Sequence, residues 1–152
     1  LSGAKILVVD DDPLALSLLD SMLGNMGHET VKASTGDEAL EKAKAKDLDL
    51  ILLDIMLPDK SGFEVCEILK SNPELSTIPV VIVTGLGDRD SKLKGLEVGA
   101  DEYLVKPIDR AELVLRVKNL LKVKEYQDYL KGNADLLERE VAKRTRELQN
   151  AY

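Results

Sequence analysis

Three short runs constrain this chain more than anything else in it: Ile6-Leu7-Val8-Val9, Leu50-Ile51-Leu52-Leu53 and Val80-Val81-Ile82-Val83. Each is wholly apolar and bounded by Asp, Pro, Gly or Thr. A strand with one wet face alternates apolar and polar residues, so an unbroken apolar run of this length needs cover on both faces. The runs therefore predict central strands of a parallel sheet packed between helices. Glu29–Ala33 and Glu102–Val105 are weaker strand candidates.

Helical patterns fill the intervals. Leu14 to Met26 carries Leu and Met at helical spacing and stops at Gly27. Asp12-Pro13 before it reads as an N-cap followed by Pro at the first helical position. Asp37 to Lys46 is built from good helix formers. Phe63 to Leu69 and Ser91 to Val98 are shorter helices, and a long helical pattern opens at Asp109, with Asp109 and Glu112 as a capping pair. Strand and helix thus alternate five times, which predicts an α/β fold with right-handed crossovers and a doubly wound five-stranded parallel sheet.

In such a sheet ligands bind outside the carboxyl ends of the strands. The residues closing the three apolar runs are Asp10, Asp54 and Thr84, and the fifth strand ends at Lys106. All four are expected in one crevice. Asp10, Asp11 and Asp54 together crowd negative charge, and a hard divalent cation relieves it; carboxylates and water are what Mg²⁺ prefers. Lys106 adds a positive charge and Thr84 a hydroxyl donor. A metal, an ammonium and a hydroxyl around one carboxylate can hold the three peripheral oxygens of a phosphoryl group, and phosphoryl transfer asks for little beyond positioning and charge stabilisation. Asp54 is then the nucleophile, forming an acyl phosphate. Each residue alone has an ordinary structural reading: a solvated turn for Asp10-Asp11, a strand end for Thr84-Gly85, a strand exit for Lys106-Pro107. Asp, Asp, Thr and Lys at four strand ends in sequence order is far harder to obtain by accident.

Composition narrows the partners. The 152 residues carry a formal net charge of -7, which argues against a generic nucleic-acid or membrane-surface binder, both being polyanionic. No apolar run approaches the roughly 20 residues needed to span a bilayer. Leu1-Ser2-Gly3-Ala4 runs straight into a strand without the look of a signal peptide. The single cysteine, Cys66, allows no internal disulfide and fits a reducing compartment, so a cytoplasmic location is expected. Cys66 reads as a buried helix residue, His28 as a lone residue without ligand partners, and Met22 and Met26 as packing residues.

The sequence resembles the receiver domains of response regulators in two-component systems. The resemblance is carried by Lys5-Ile6-Leu7-Val8-Val9-Asp10-Asp11-Asp12-Pro13, by Asp54-Ile55-Met56-Leu57-Pro58-Asp59-Lys60-Ser61-Gly62, by Val83-Thr84-Gly85 and by Gly99-Ala100-Asp101-Glu102-Tyr103-Leu104-Val105-Lys106-Pro107. It covers roughly Ala4 to Leu121. It implies a flavodoxin-like fold of strand order 2-1-3-4-5 and a domain spanning residues 1–121. It further implies that Asp10, Asp11, Asp54 and the backbone carbonyl of Met56 hold Mg²⁺ or Mn²⁺, that Asp54 is phosphorylated, and that Thr84 and Lys106 contact the phosphoryl oxygens. Tyr103 stands where the family has its switch aromatic, moving in concert with Thr84; its residue-level reading is a half-buried ring at the sheet edge. Lys106-Pro107 is expected to be cis. A sensor histidine kinase or phosphotransfer protein is the implied partner. Asp12 replaces the Glu the family often carries.

Two other functions fit the fold less well. A phosphoaspartate hydrolase needs a second acid two residues after its nucleophile, and Met56 cannot supply one. A flavin carrier needs a phosphate-binding loop after the first strand, where Asp10-Asp11-Asp12 would repel a phosphate.

Beyond Leu121 the sequence continues through residues 122–152 as a second unit, rich in Glu, Lys, Leu and Arg. Heptads read from Leu113 place Leu113, Leu120, Gln127, Ala134, Val141 and Leu148 at a, and Arg116, Val123, Leu130, Leu137, Arg144 and Ala151 at d. That predicts an extended C-terminal helix forming a weak parallel coiled-coil homodimer, with Gly132-Asn133 as a candidate interruption. Leu137 to Leu148 is similar to the connectors joining receivers to HD-GYP cyclic-dinucleotide phosphodiesterase domains, and similar connectors precede other outputs. The helix has no stop signal at Tyr152, so an attached output domain is expected. Nucleic-acid binding by residues 1–152 themselves is not.

Overall fold

The computed structural model describes residues 3–45 and 47–151. Leu1, Ser2, Tyr152 and the predicted helix end at Lys46 lie outside the described residues. The elements run β1 (Lys5–Val9), α1 (Pro13–Asn25), β2 (Glu29–Ala33), α2 (Gly36–Ala45), β3 (Leu50–Leu53), α3 (Gly62–Ser71), β4 (Val80–Thr84), α4 (Arg89–Glu97), β5 (Glu102–Val105) and α5 (Arg110–Ala151). The five strands form one parallel sheet in the order β2-β1-β3-β4-β5.

The central strands divide their apolar side chains between two cores by the period of two. Leu7, Val9, Ile51, Leu53, Val80 and Ile82 face Ala39, Ala43, Phe63, Val65, Cys66 and Leu69 of α2 and α3. Ile6, Val8, Leu50, Leu52, Val81 and Val83 face Leu19 and Leu23 of α1 and Leu113, Val117 and Leu121 of α5. Met22 and Met26 pack at the edge of the second core. Both faces are thus covered, as the unbroken apolar runs require.

Helix starts follow local chemistry. Asp12 accepts from the Leu14 N–H ahead of Pro13, Ser61 from Phe63, and Asp88 from Ser91. The Asp88 cap starts α4 at Arg89, two residues before the sequence pattern does. Asp109 accepts from the Ala111 N–H at 3.1 Å. The return bond expected from Glu112 is not among the hydrogen bonds of the described residues.

α5 runs unbroken through Gly132-Asn133, so the predicted interruption there is absent. Its first turns do not belong to a free seam. Leu113 is buried in the domain's own core, and Arg116 donates to Glu102 of β5 at 3.0 Å. Every side chain from Glu125 to Gln149 is exposed.

Candidate functional site

The strand order reverses direction between β1 and β3, so the chain leaves these neighbours to opposite sides and opens a crevice at their carboxyl ends. Asp10 and Asp54 are the first residues past them. Parallel pairing holds both: Asp10 donates its N–H to Ala33, and Asp54 donates its own to Val9 at 3.0 Å. Asp11, exposed, completes a cluster in which one carboxylate oxygen from each of Asp10, Asp11 and Asp54 lies within 4.8 Å of the others. Asp10 and Asp54 are almost wholly buried, at 2% and 5% exposure.

Buried carboxylates need partners. Asp10 Oδ1 accepts from the Asp12 N–H, and Asp54 Oδ1 accepts from Ile55 at 2.7 Å. The second oxygens face Lys106, whose Nζ lies 2.6 Å from Asp10 Oδ2 and 3.2 Å from Asp54 Oδ2. Burial pushes the Asp10 carboxyl upward against the opposing bond from Lys106. Burial works against the Lys106 ammonium too, but its bond to Asp10 and the charge of Asp54 outweigh it and raise its pKa. Lys106 is placed by its backbone N–H bond to the Thr84 carbonyl at 2.8 Å, and its peptide to Pro107 is cis, as expected.

Thr84 closes β4 with its side chain fully buried. Its hydroxyl accepts from the Leu86 N–H at 3.5 Å, the long limit of a hydrogen bond. Tyr103, half-buried on β5, donates its hydroxyl to the Leu86 carbonyl at 2.5 Å. Leu86 therefore joins the two residues expected to switch, and it does so through backbone atoms that carry no sequence signal. Gly95 of α4 gives the ring its space, since a Cβ there would lie 2.8 Å from Tyr103 Cδ2. Met56 follows Asp54 by two residues with its side chain in solvent.

The structure also settles residues expected to be structural. His28 is buried, its Nδ1 accepting from the Ala4 N–H at 3.2 Å, where it ties the start of β1 to the α1–β2 turn. Cys66 is buried, and burial pushes its thiol up to about 11, which leaves it inert at neutral pH.

The sequence profile of the response regulator receiver domain matches residues 6–118. The chain belongs to the response regulator receiver family. The receiver is 41% identical over 121 residues to the alkaline phosphatase synthesis transcriptional regulatory protein PhoP of Bacillus subtilis, covering 80% of this chain and 50% of PhoP. It is 44% identical over 130 residues to the response regulator PleD of Caulobacter vibrioides, covering 85% of this chain and 28% of PleD. The chain thus spans half or less of the length of these curated relatives. Among solved structures, a CheY-like response regulator receiver domain protein from Methanospirillum hungatei matches at a TM-score of 0.77 and 32% identity, over 83% of this chain and 99% of that one. A two-component response regulator from Clostridium difficile matches at 0.73 and 32%, over 78% and 96%.

A receiver is a regulatory phosphoacceptor, and this membership fits a phosphorylation-dependent switch. Receivers bind Mg²⁺ at an acidic pocket, and a cluster of three aspartates is present here. Among the described residues, no helix is long and apolar enough to cross a membrane.

Proposed function

We propose that Asp54 is the phosphoacceptor and that Asp10, Asp11, Asp54 and the Met56 carbonyl hold Mg²⁺, or Mn²⁺ in its place. The observation that carries this reading is the convergence of Lys106 Nζ on Asp10 and Asp54 beside the three-carboxylate cluster. The donors are hard oxygens, which suits these cations and not softer ones. A carboxylate oxygen of Asp54 attacks the phosphorus of the donor's phosphohistidine; the O–P bond forms as the N–P bond breaks, and the imidazole departs. A metal held by these residues would neutralise charge on the transferring group, and Lys106 and the Thr84 hydroxyl would take that group's remaining oxygens. Incubation with acetyl phosphate, with Mg²⁺ or with EDTA, followed by intact-mass measurement and peptide mapping, tests the assignment. A label away from position 54, or one formed equally well in EDTA, would overturn it.

Asp11 separates binding from folding. It is exposed and adds charge to an already crowded cluster. Asp11→Ala is expected to weaken metal binding by about tenfold or more, while the metal-free domain melts no lower than the parent because like charges are relieved. Calorimetric titration and thermal unfolding read the two effects apart; unchanged affinity would remove Asp11 from the site.

The receiver unit is taken to end at Leu121, where burial along α5 ceases, with residues 122–152 as a connector to an output domain. HD-GYP phosphodiesterase is one candidate output. Val123, Leu130, Leu137, Val141 and Leu148 form an exposed apolar stripe, and its simplest partner is a second copy of the helix. Gln127 and Arg144 in the seam keep the pairing weak. Sedimentation is expected to show weak self-association of the whole chain and none after truncation at Leu121. Monomers in both cases at high concentration, phosphorylated or not, would leave the segment a single connecting helix.

A further inference from the structure

A helix leaves its first N–H groups without partners in its own backbone. α2 meets part of that need locally. Thr35 Oγ1 accepts from the Glu38 N–H at 3.0 Å, and Glu38 Oε1 accepts from the Ser34 N–H at 2.7 Å. The N–H groups of Gly36 and Asp37 remain. Both go to one carboxylate from a distant part of the chain: Asp59 Oδ1 accepts from Gly36 at 2.7 Å and Oδ2 from Asp37 at 2.8 Å. Beside it, Lys60 Nζ lies 2.6 Å from Asp37 Oδ1. The Lys60 stem covers Gly36 so closely that a Cβ there would fall 2.4 Å from Lys60 Cγ.

Asp59 and Lys60 belong to the segment joining Asp54 to α3, the segment that also carries Met56. Its inner end is fixed by the Leu57 and Gly62 N–H bonds to the Ile55 carbonyl, at 3.1 and 2.8 Å. Burial contributes little between these points: Met56, Pro58 and Asp59 are exposed, Leu57 and Lys60 half-buried. A surface segment with so few buried contacts opens readily unless polar bonds hold it. The clamp to α2 supplies those bonds.

We propose that Asp59 is a positioning residue for the phosphorylation site: by gripping the start of α2 it fixes the segment that presents the Met56 carbonyl to the metal. This rests on the reading of Asp10, Asp11, Asp54 and Met56 as the metal site. Asp59 touches neither metal nor phosphoryl group; it acts through the backbone it holds still, as an outer partner does in many metal sites.

The test compares two ways of uncapping the same helix. Asp59→Ala and Thr35→Ala each remove a partner of the α2 N-terminus, and both are expected to lower the melting temperature by a few degrees. Only the first releases the metal segment. Free Mn²⁺ measured by electron paramagnetic resonance is expected to show roughly tenfold weaker binding by Asp59→Ala, binding within twofold of the parent by Thr35→Ala, and an intermediate value for Asp59→Asn, which keeps one acceptor. Should Asp59→Ala fail to fold, the ordering of parent, Asp59→Asn and Thr35→Ala decides instead. Parent-like Mn²⁺ affinity in the Asp59 variants, or equal weakening by Thr35→Ala, overturns the clamp alone. A parent chain that binds no Mn²⁺ at millimolar concentration overturns the metal site and the clamp with it.

Discussion

Asp54→Asn is expected to take up no phosphoryl group from acetyl phosphate at any Mg²⁺ concentration, a loss of about 10³-fold or more in labelling rate. The substitution removes the oxygen proposed to attack and little else. An Asn side chain still offers Oδ1 to the Ile55 N–H, the bond that orients the parent carboxylate at 2.7 Å. Lys106 keeps its shorter contact, 2.6 Å to Asp10, and loses only the longer one. One negative charge leaves a cluster of three, which favours the folded metal-free state. The variant should therefore melt at or above the parent's temperature while accepting nothing, and intact-mass measurement beside a thermal scan would show both. Labelling at the parent's rate would mean that another residue is the acceptor.

Gly62→Ala is expected to be the most damaging conservative change in the domain. An ideal Cβ at Gly62 would stand 2.1 Å from the Asp54 carbonyl oxygen, 2.7 Å from Ile55 Cα and 2.8 Å from the Asp54 carbonyl carbon. All three are backbone atoms, so no side chain can swing away to make room. The Gly62 N–H bond to the Ile55 carbonyl, 2.8 Å long, fixes the same approach from the other side. A single methyl must push the start of α3 off the end of β3, the place where the proposed phosphoacceptor Asp54 sits. Overpacking of this kind costs about 1–3 kcal/mol and sometimes more. A loss on the order of 3 kcal/mol is expected, a fall of about 10 °C in melting temperature, with labelling of Asp54 slowed as well. Gly132→Ala is the contrast: nothing lies within 4 Å of its Cβ, and it sits in an exposed helix. There alanine should stabilise the helix by about 0.5–1 kcal/mol. Circular dichroism on both variants decides it, and a Gly62→Ala melting point within 2 °C or so of the parent's would contradict the steric account.

The sheet was legible because its physics is local. A run such as Leu50–Leu53 can be buried on both faces only in a covered parallel sheet, and its observed bounds match the sequence pattern residue for residue. The convergence of Asp10, Asp54 and Lys106 was legible for a related reason, since a strand end is readable and the fold rule says where strand ends meet. What escaped was made of backbone atoms or of pairs distant in sequence. Leu86 joins Thr84 to Tyr103 through its N–H and carbonyl, which every residue possesses. Asp59 looks like one more turn aspartate until the start of α2 is placed beside it. The tail misled for another reason: a stripe facing a sheet and a stripe facing a second helix share nearly the same spacing. Leu113 fits a heptad and is spent on the domain's own core, and Arg116, given a seam position, reaches Glu102 instead.

The unbroken run of α5 has a mechanical consequence. From Leu121 to Ala151 it extends about 45 Å as a single rod, at about 1.5 Å per residue. Its root is tied to the strand that holds Tyr103, through Arg116 and Glu102. Such a rod is a lever with a short arm inside the domain and a long arm outside. A tilt of about 10° at the root sweeps the far end through about 8 Å over that length. A small tilt at the root, too slight to alter the domain's outline, would thus arrive at the tip as a displacement larger than a full helical turn.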